Sequence, residues 1–217
     1  MKMTDVTLHE GVHDPHIFKA VFMAGSPGAG KSTIAKALFS ASGLKIIDID
    51  KFWQMFQAKQ MQGDYSKFGQ LGIRQREIYS GGRLGMLIDG TAKNLQVMEH
   101  IKTKLDEIGY ESAMVFVNTD LQTSLDRVAE RGVATGRTID PQLVTDYWNK
   151  VQTNLGHLQN MFSGNFFIID NTKQLNIGPV AKQMHAWLNK PVTNHIAREW
   201  IKATSGNNMP ISVNPVS

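Results

Sequence analysis

The chain has 217 residues, 41% of them hydrophobic and 19% charged, which is the composition of an ordinary globular protein with a sizeable core. It contains no cysteine, which excludes disulfides, thiolate catalysis and cysteine-based zinc sites, and its net charge of +4 mildly favours an anionic ligand or nucleic acid. No apolar run approaches the ~20 residues that span a bilayer and no signal peptide is recognisable, so we expect a cytoplasmic protein without membrane contact.

An irregular N-terminal arm, residues 1–16, precedes the first predicted element. It carries His9, His13 and His16, which invites a metal-binding interpretation. An Asp-Pro dipeptide interrupts the local geometry, and no carboxylate or cysteine spacing supports a metal site. We therefore interpret these histidines as surface or packing residues.

The next segment combines a strand, a glycine-rich loop and a helix. Residues 17–24 are apolar and predict a buried strand, and residues 33–40 predict a helix. Between them, GSPGAGKS matches the pattern G-x-x-x-x-G-K-[ST], whose backbone N–H groups and helix start bind the phosphates of a nucleotide triphosphate. The predicted nucleotide-binding residues are Gly25, Ser26, Pro27, Gly28, Ala29, Gly30, Lys31, Ser32 and Thr33.

Two residues of this loop have distinct predicted roles. Lys31 is expected to reach the β- and γ-phosphates, which makes it a catalytic residue, and the Ser32 hydroxyl is expected to ligate Mg²⁺. The alternative is a glycine-rich turn with a chance Lys-Ser pair, which the flanking strand and helix argue against. The loop predicts that a nucleotide binds, but not what the nucleotide is used for.

The remaining elements alternate between strands and helices. Strands are predicted at 44–49, 84–88, 112–117 and 166–169. Helices are predicted at 50–60, 73–79, 95–108, 120–131, 141–162, 179–188 and 191–203, and Gly132 is expected to end the fourth of them. The polar segments 61–72 and 133–139 are expected to be loops.

This alternation predicts an α/β fold with a mainly parallel five-stranded sheet and helices on both faces. Together with the phosphate loop, it is the three-layer sandwich of a P-loop NTPase, to which an arginine-bearing lid is added near 133–139. We divide the chain into the arm at 1–16, a main P-loop domain at 17–190, and a C-terminal helix and tail at 191–217. Ligands in such sheets bind beyond the carboxyl ends of the strands.

Carboxylates follow two of the predicted strands. Asp48 and Asp50 alternate along the end of the strand at 44–49, so they point to opposite sides and one should face the site. We favour Asp50 as the base that accepts the proton of an acceptor hydroxyl, because it lies at the strand-to-helix corner. The alternative role for Asp50 is a helix N-cap. Asp48 is an acceptor-binding candidate, and the residues alone do not decide between the two acids as the base.

Asp89 ends the next strand. It could hold Mg²⁺ through water, bind the acceptor, or serve only in an Asp-Gly turn. We take it as a candidate for both metal and acceptor binding, and Thr91 as a candidate for a hydroxyl contact to the acceptor. Arg83, before the strand, is a further acceptor-binding candidate for which a surface position is equally consistent.

Three arginines lie near the predicted lid. Arg127 and Arg131 are four residues apart and share a helix face, and Arg137 follows in the loop at 133–139. Arginine binds phosphate oxygens in pairs and stabilises the charge of a transferring phosphoryl group. The alternative is solvated charge beside neighbouring acids. We favour catalytic roles for Arg131 and Arg137, while Arg127 is also consistent with a structural role.

The spaced motifs together resemble a zeta-toxin-type kinase. GSPGAGKST is followed by IIDIDKF, LIDGT, GYESAMVFV and RVAERGVATGRTIDPQ, and the resemblance covers residues 18–170 in the expected order. It implies that residues 17–190 are a kinase domain, which transfers the γ-phosphoryl group of ATP, with GTP as an alternative donor and Mg²⁺ as cofactor, to a hydroxyl. By this resemblance Lys31 and Ser32 bind nucleotide and Mg²⁺, and the base, acceptor acid and lid arginine are Asp50, Asp89 and Arg137.

The acceptor is the open question. The best-known members phosphorylate UDP-N-acetylglucosamine, but Asp89 stands where the familiar toxin has the longer Glu, and the segment after Thr91 gives no convincing sugar-nucleotide site. The N-terminal part resembles phage-encoded relatives, some of which phosphorylate 5-hydroxymethyluracil in DNA; such a protein would act in the host cytoplasm. A nucleic-acid-stimulated ATPase is the alternative from a different class. The sequence leaves the acceptor, DNA included, and the oligomeric state open.

Overall fold

The computed structural model of the protein describes residues 12–49, 65–90, 92–136, 138–173 and 176–205. Its strands are β1 (Lys19–Ala24), β2 (Lys45–Ile47), β3 (Met86–Asp89), β4 (Glu111–Asn118) and β5 (Phe166–Asp170). Its helices are α1 (Lys31–Phe39), α2 (Tyr65–Gly81), α3 (Leu95–Glu107), α4 (Leu121–Thr135), α5 (Pro141–Met161), α6 (Gly178–Leu188) and α7 (His195–Ser205). Three predicted site residues and the helix predicted at 50–60 lie outside the described residues; the three are Asp50, Thr91 and Arg137.

The five strands form one sheet in the order β2-β3-β1-β4-β5, and every neighbouring pair is parallel. Because all strands run the same way, their carboxyl ends lie at one edge, which we call the carboxyl edge. The segment Gly25–Gly30 leaves the central strand β1 at this edge and leads into α1. The predicted parallel five-stranded sheet is confirmed.

Alternate residues of β1 pack against opposite layers of helices, because successive side chains of a strand point to opposite faces. Ala20 and Phe22 lie in a core shared with α3, α5 and α7, whereas Val21 and Met23 lie in a core shared with α1 and α6. All six residues of β1 are buried, as expected of a parallel sheet covered on both faces. The three-layer architecture predicted from the sequence is therefore confirmed.

The C-terminal helix α7 packs into this core. Ala197 is fully buried, and the ring of Trp200 meets that of Phe18 edge-on at 5.5 Å between centroids. The sequence predicts that this helix begins at residue 191, but it begins at His195. The reason is that the backbone N–H groups of Thr193 and Asn194 donate to a side chain outside the helix. Their acceptor is the carboxylate of Glu111, at distances of 2.5 and 3.2 Å.

The same carboxylate holds a buried cation. The ammonium group of Lys19, whose side chain is 2% exposed, donates to Glu111 at 2.6 Å.

The end of the N-terminal arm is bound to the sheet through Asp14, which accepts from the backbone N–H of Gly85 and pairs with Lys45, both at 3.2 Å. Residues 12–16 are thus anchored to the sheet at the edge opposite the phosphate loop.

Two predicted loops are wrong in part. Residues 65–72, predicted as loop, form the first half of α2. Gly72 lies within this helix where the side chain of Ile49 is close: a Cβ on residue 72 would lie 2.9 Å from Ile49, so the contact favours glycine there. Likewise, α4 does not end at Gly132 but runs to Thr135, and Gly136 ends it with a left-handed φ of 70°. Residues 133–135 of the predicted lid loop are therefore helical.

Across the described residues, none of the helices is both long and apolar enough to cross a membrane.

Candidate active site

The phosphate loop has the backbone that its glycines predict. Gly25, Gly28 and Gly30 have φ angles of 154°, 79° and 87°, a region that other L-residues rarely adopt. Gly30 is also the cap of α1 and makes no side-chain cap bond, and the first turn of α1 contains no acidic residue. The N–H groups at the start of α1 are therefore suited to an anion, which the helix dipole also favours.

Neighbouring elements press closely on this loop. A Cβ on Gly25 would lie 2.6 Å from the carbonyl oxygen of Val117 at the end of β4. A Cβ on Gly28 would collide with the backbone of Ser124, and one on Gly30 with the side-chain amide of Asn171. The glycines are thus required by close packing as well as by conformation.

Two side chains hold the loop from opposite sides. The hydroxyl groups of Ser26 and Ser124 lie 2.9 Å apart and form a buried hydrogen bond. The side-chain amide of Asn171 donates to the carbonyl oxygen of Ala29 at 2.8 Å, and this bond is also buried. The loop is fixed in shape by residues of α4 and of the segment after β5.

Lys31 lies over the loop that it follows. Its ammonium group donates to the carbonyl oxygens of Gly25 at 2.9 Å and of Ser26 at 3.1 Å. The side chains of Ser32 and Thr33 are exposed on the first turn of α1. The cation and the two hydroxyl-bearing residues therefore lie at the carboxyl edge, next to the phosphate loop.

Two acids lie at the carboxyl edge, one directly after β2 and one at the end of β3. Ile47 of β2 is in register with Ile88 of β3, so Asp48 and Asp89 are the next residues along and adjacent strands bring them together. Asp89 is also in register with Met23, two residues before the phosphate loop. Both carboxylates are half-buried.

Helix α4 places two arginines on the face that meets the loop. Asp120 caps the helix by accepting from the backbone N–H of Thr123 at 2.7 Å, and this bond lowers the pKa of the Asp120 carboxyl. Arg127 and Arg131 lie three and seven residues after Ser124, which is the spacing of one helix face. Both side chains are half-buried. We call Arg127 and Arg131 the arginine face of α4.

The segment after β3 is held by α5. The side-chain amide of Asn154 donates to the carbonyl oxygen of Ala92 at 2.9 Å, and the ammonium of Lys93 lies 3.8 Å from the ring centroid of Tyr147. Ala92 is 5% exposed and has a φ of 56°, a left-handed conformation that costs a residue with a side chain about 1–2 kcal/mol. Contacts with α5 therefore maintain a strained turn directly after the Asp89 strand end.

Helix α5 is in turn anchored to β4. The indole N–H of Trp148 donates to the carbonyl oxygen of Thr119 at 2.8 Å, and Gln152 donates to the side chain of Asn118 at 3.1 Å. Pro141 begins this helix and Asp140 caps it, as the sequence predicts. One helix thus joins the segment predicted to be a lid to the end of β4 and to the residues after β3.

The arrangement can be compared with known proteins. The zeta toxin family model matches residues 7–177. This chain belongs to the zeta toxin family. The resemblance predicted from the spaced motifs is thereby confirmed.

Matches to curated relatives are shorter. Shikimate kinase 2 of Yersinia enterocolitica is 41% identical over 59 residues, which is 27% of this chain and 34% of that protein. The chain thus spans about a third of the length of this curated relative. The likeness is therefore one between segments of the two proteins.

Solved structures show the same fold as this zeta toxin family member. The PezAT chromosomal toxin–antitoxin system of Streptococcus pneumoniae superposes with a TM-score of 0.55 at 17% identity, covering 93% of this chain and 88% of that one. AvrRxo1-ORF1:-ORF2, solved with ATP, gives a TM-score of 0.56 at 13% identity, covering 81% and 65%. At these identities the likeness establishes the fold, and it agrees with the predicted α/β P-loop architecture.

The structure separates one predicted residue from the others. Arg83 lies before β3, where its carbonyl oxygen accepts from the backbone N–H of Phe18 at 2.9 Å and its guanidinium donates to the carbonyl oxygen of Ser80 at 2.8 Å. Strand β1, of six residues and roughly 20 Å, lies between this position and the phosphate loop. The prediction that Arg83 binds the acceptor therefore does not fit the fold.

The sequence motifs did not predict two residues that contact the phosphate loop, Asn171 and Ser124. Asn171 directly follows β5, so the rule that ligand residues lie after parallel strands could have identified it. Ser124 carries no comparable signal, because its role depends on how α4 approaches the loop.

The predicted Mg²⁺ residues fit the chemistry of the ion. Mg²⁺ takes few protein ligands, typically one or two carboxylates together with substrate phosphates. Ser32 offers an exposed hydroxyl at the start of α1, and Asp89 a carboxylate on the strand beside β1. Among the described residues, no group of three or more His, Asp or Glu side chains could hold a metal without a substrate.

Proposed function

We propose that this zeta toxin family member is a kinase that transfers the γ-phosphoryl group of ATP to a hydroxyl group of an acceptor. The observation that carries the proposal is the phosphate loop itself. Its three glycines have left-handed φ angles, Lys31 lies over it, and acids and arginines flank it on three neighbouring elements. Family membership supports the same activity.

The proposed binding mode follows from the loop contacts. Backbone N–H groups of the phosphate loop and the first turn of α1, other than at Pro27, bind the phosphates. Lys31 exchanges its bonds to the carbonyl oxygens of Gly25 and Ser26 for the β- and γ-phosphate oxygens. Ser32 and Asp89 would hold Mg²⁺, which neutralises phosphate charge when bound. GTP remains an alternative donor.

The proposed transfer is an in-line displacement. The acceptor oxygen bonds to the γ-phosphorus as the bond to the β–γ bridging oxygen breaks, ADP leaves with that oxygen, and the acceptor proton passes to a carboxylate. Asp50 is the proposed base, and Asp48 and Asp89 are proposed to bind the acceptor. Arg131 of the arginine face and Arg137 are proposed to stabilise charge on the transferring group.

The acceptor is proposed to be a nucleotide-type or nucleic-acid substrate. The net charge of +4 is consistent with an anionic acceptor. DNA containing 5-hydroxymethyluracil, as in phage-encoded relatives, and UDP-N-acetylglucosamine are the two specific candidates. The shorter Asp89 disfavours the second of these, because it reaches one methylene less far into the acceptor pocket.

The test offers radiolabelled ATP with a panel of UDP-sugars, nucleosides, nucleotides and DNA with and without hydroxymethyluracil. We expect labelled product from at least one acceptor, and loss of that label in Lys31→Ala and Asp50→Asn with unchanged circular dichroism. Near-normal transfer by Asp50→Asn would remove Asp50 as the base. If DNA stimulates ATP hydrolysis and no acceptor is labelled, the protein is a nucleic-acid-stimulated ATPase and the kinase proposal is wrong.

A further inference from the structure

The buried hydrogen bond between Ser26 and Ser124 joins two parts of the site that are 98 residues apart in sequence. Ser26 is 3% exposed and lies within the phosphate loop, and Ser124 is fully buried in the first turn of α4. Each hydroxyl is therefore shielded from water and depends on the other for its hydrogen bond. Moving either element away would leave two buried polar groups without that bond.

The backbones of the two elements also touch at this point. A Cβ on Gly28 would collide with the carbonyl group of Ser124, so no space separates the loop from the helix. The helix itself is fixed by its cap, because Ser124 donates its backbone N–H to the carbonyl oxygen of Asp120 at 3.1 Å. The distance between loop and helix is consequently set from both sides, by repulsion at Gly28 and by attraction at Ser26.

Because α4 is rigid, its position at Ser124 also determines the position of its two arginines. Ser124, Arg127 and Arg131 occupy one face, and an α-helix rises about 1.5 Å per residue, so Arg131 begins about 10 Å along the axis from the contact. Over about 10 Å, a tilt of α4 of about 6° at Ser124 would move the start of the Arg131 side chain by about 1 Å. Displacements of about 1 Å in a catalytic group are sufficient to reduce rates strongly.

We propose that the Ser26–Ser124 hydrogen bond sets the position of the arginine face of α4 over the phosphate loop, which makes Ser124 a positioning residue. This inference rests on the proposed function only in that the arginines act on the bound phosphates. It assigns to the hydroxyl pair a role that acts through Arg131, since Ser26 and Ser124 are both buried. A purely structural role would support the loop but leave the contribution of Arg131 unchanged.

A double-mutant cycle on nucleotide affinity separates these roles. The affinity of the full chain for Mg²⁺ with a non-hydrolysable ATP analogue is measured by titration calorimetry for wild type, Arg131→Ala, S26A/S124A and the triple variant. Removing both hydroxyls leaves neither one buried without a partner, so the double variant is expected to remain folded. Ser26→Ala alone, which removes the bond and leaves the Ser124 hydroxyl buried without it, provides the same cycle in a second background.

We expect Arg131→Ala to weaken analogue binding about tenfold in the wild-type background, in line with a lost charge-assisted hydrogen bond, and less than about threefold in the S26A/S124A background. Ser112→Ala is the matched control, because Ser112 is a buried serine of β4 at the opposite edge of the sheet. In that background the full tenfold effect should remain.

Equal effects of Arg131→Ala in the wild-type and S26A/S124A backgrounds would overturn the inference, and so would no effect in either. The outcome is independent of the acceptor panel, because analogue binding requires no acceptor. Coupling between Arg131 and the serine pair, with no labelled acceptor, would support the positioning role and remove the kinase proposal. A labelled acceptor without that coupling would support the kinase proposal and remove the positioning role.

Discussion

The side-chain amide of Asn171 donates a 2.8 Å hydrogen bond to the carbonyl oxygen of Ala29. Its own backbone N–H donates to the carbonyl oxygen of Asn118 at 2.9 Å, so Asn171 extends the pairing of β5 with β4 while its side chain holds the phosphate loop. The loop is thus fastened to the sheet by a strand that is not its neighbour.

Asn171→Ala should loosen the phosphate loop. The Ala29 carbonyl would lose its donor, which costs about 1–3 kcal/mol of folding free energy for a buried group, and we expect ATP affinity to fall by about tenfold as the loop loses its shape. Denaturant unfolding and titration calorimetry measure the two effects. Asn165→Ala is the matched control, since Asn165 donates to the carbonyl oxygen of Ser112 at the far edge of the sheet. Equal losses of affinity in both variants would contradict the prediction.

Asn154→Ala should release the strained turn after β3. Without the donor from α5, the buried carbonyl of Ala92 is left unpaired, and we expect a loss of about 1–2 kcal/mol together with faster hydrogen exchange at Lys93 and Asn94. Exchange measured by mass spectrometry on peptides covering residues 92–97 tests this. Asn149→Ala, an exposed asparagine of the same helix, should leave exchange in those peptides unchanged. Unaltered exchange in Asn154→Ala would show that the turn is held without α5.

Glu111 should make the protein sensitive to acid. Burial raises the pKa of Glu111, but hydrogen bonds from Lys19 and Thr193 outweigh it, so that the pKa lies below its usual value of 4.5. A lowered folded-state pKa contributes stability that is present above the unfolded-state value and lost as the pH falls through the folded-state value. We therefore expect the melting temperature to fall below about pH 4.5, with a shallower fall in Glu111→Gln.

The control for this acid sensitivity is Glu107→Gln. Glu107 also pairs with a lysine, at 2.8 Å, but its side chain is 53% exposed against 19% for Glu111. Exposed pairs contribute little to stability, so this variant should keep the acid slope of the wild type. An equally shallow slope in the two variants would show that Glu111 is not the group responsible.

Tyr110 should resist ionisation at alkaline pH. Its hydroxyl donates to the carbonyl oxygen of Leu84 at 2.9 Å, and burial raises its pKa well above the usual 10, an effect only partly offset by the charge of Arg83. Because the folded-state pKa is raised, the stability it provides is present below pH 10 and lost as the pH rises above that value.

The near-ultraviolet absorbance of tyrosinate tests this behaviour. At about pH 11, Tyr110→Phe should leave the signal of the folded protein unchanged, whereas in denaturant it should remove the contribution of one of the four tyrosines. A folded-state signal that drops in Tyr110→Phe would mean that the buried hydroxyl already ionises in the native protein.

The sequence predicts the fold well where one interaction dominates. The alternation of apolar strands and amphipathic helices favours a parallel sheet, and all five predicted strands begin and end within two residues of their predicted ends. The phosphate loop is equally predictable, because its function requires glycine at fixed positions.

Predictions from local signals fail where tertiary packing decides. Gly132 is a reasonable helix end by its own propensity, yet α4 continues past it, and Gly72 lies inside α2 because the helix approaches Ile49 closely. The position of Arg83 at the wrong edge of the sheet could not be read from its proximity in sequence to Asp89, because the strand between them carries the chain across the sheet. Ser124 was missed for the same reason, since its partner is 98 residues away.

The fastening of the phosphate loop by Asn171 also has a consequence for biosynthesis. The ribosome completes the loop early, but the residue that secures Ala29 emerges 142 positions later, after every strand of the sheet. A nascent chain shorter than this lacks the clamp, so tight capture of nucleotide is deferred until the sheet can be complete. A chain that ends before Asn171 therefore lacks the hydrogen bond that holds Ala29 in the finished phosphate loop.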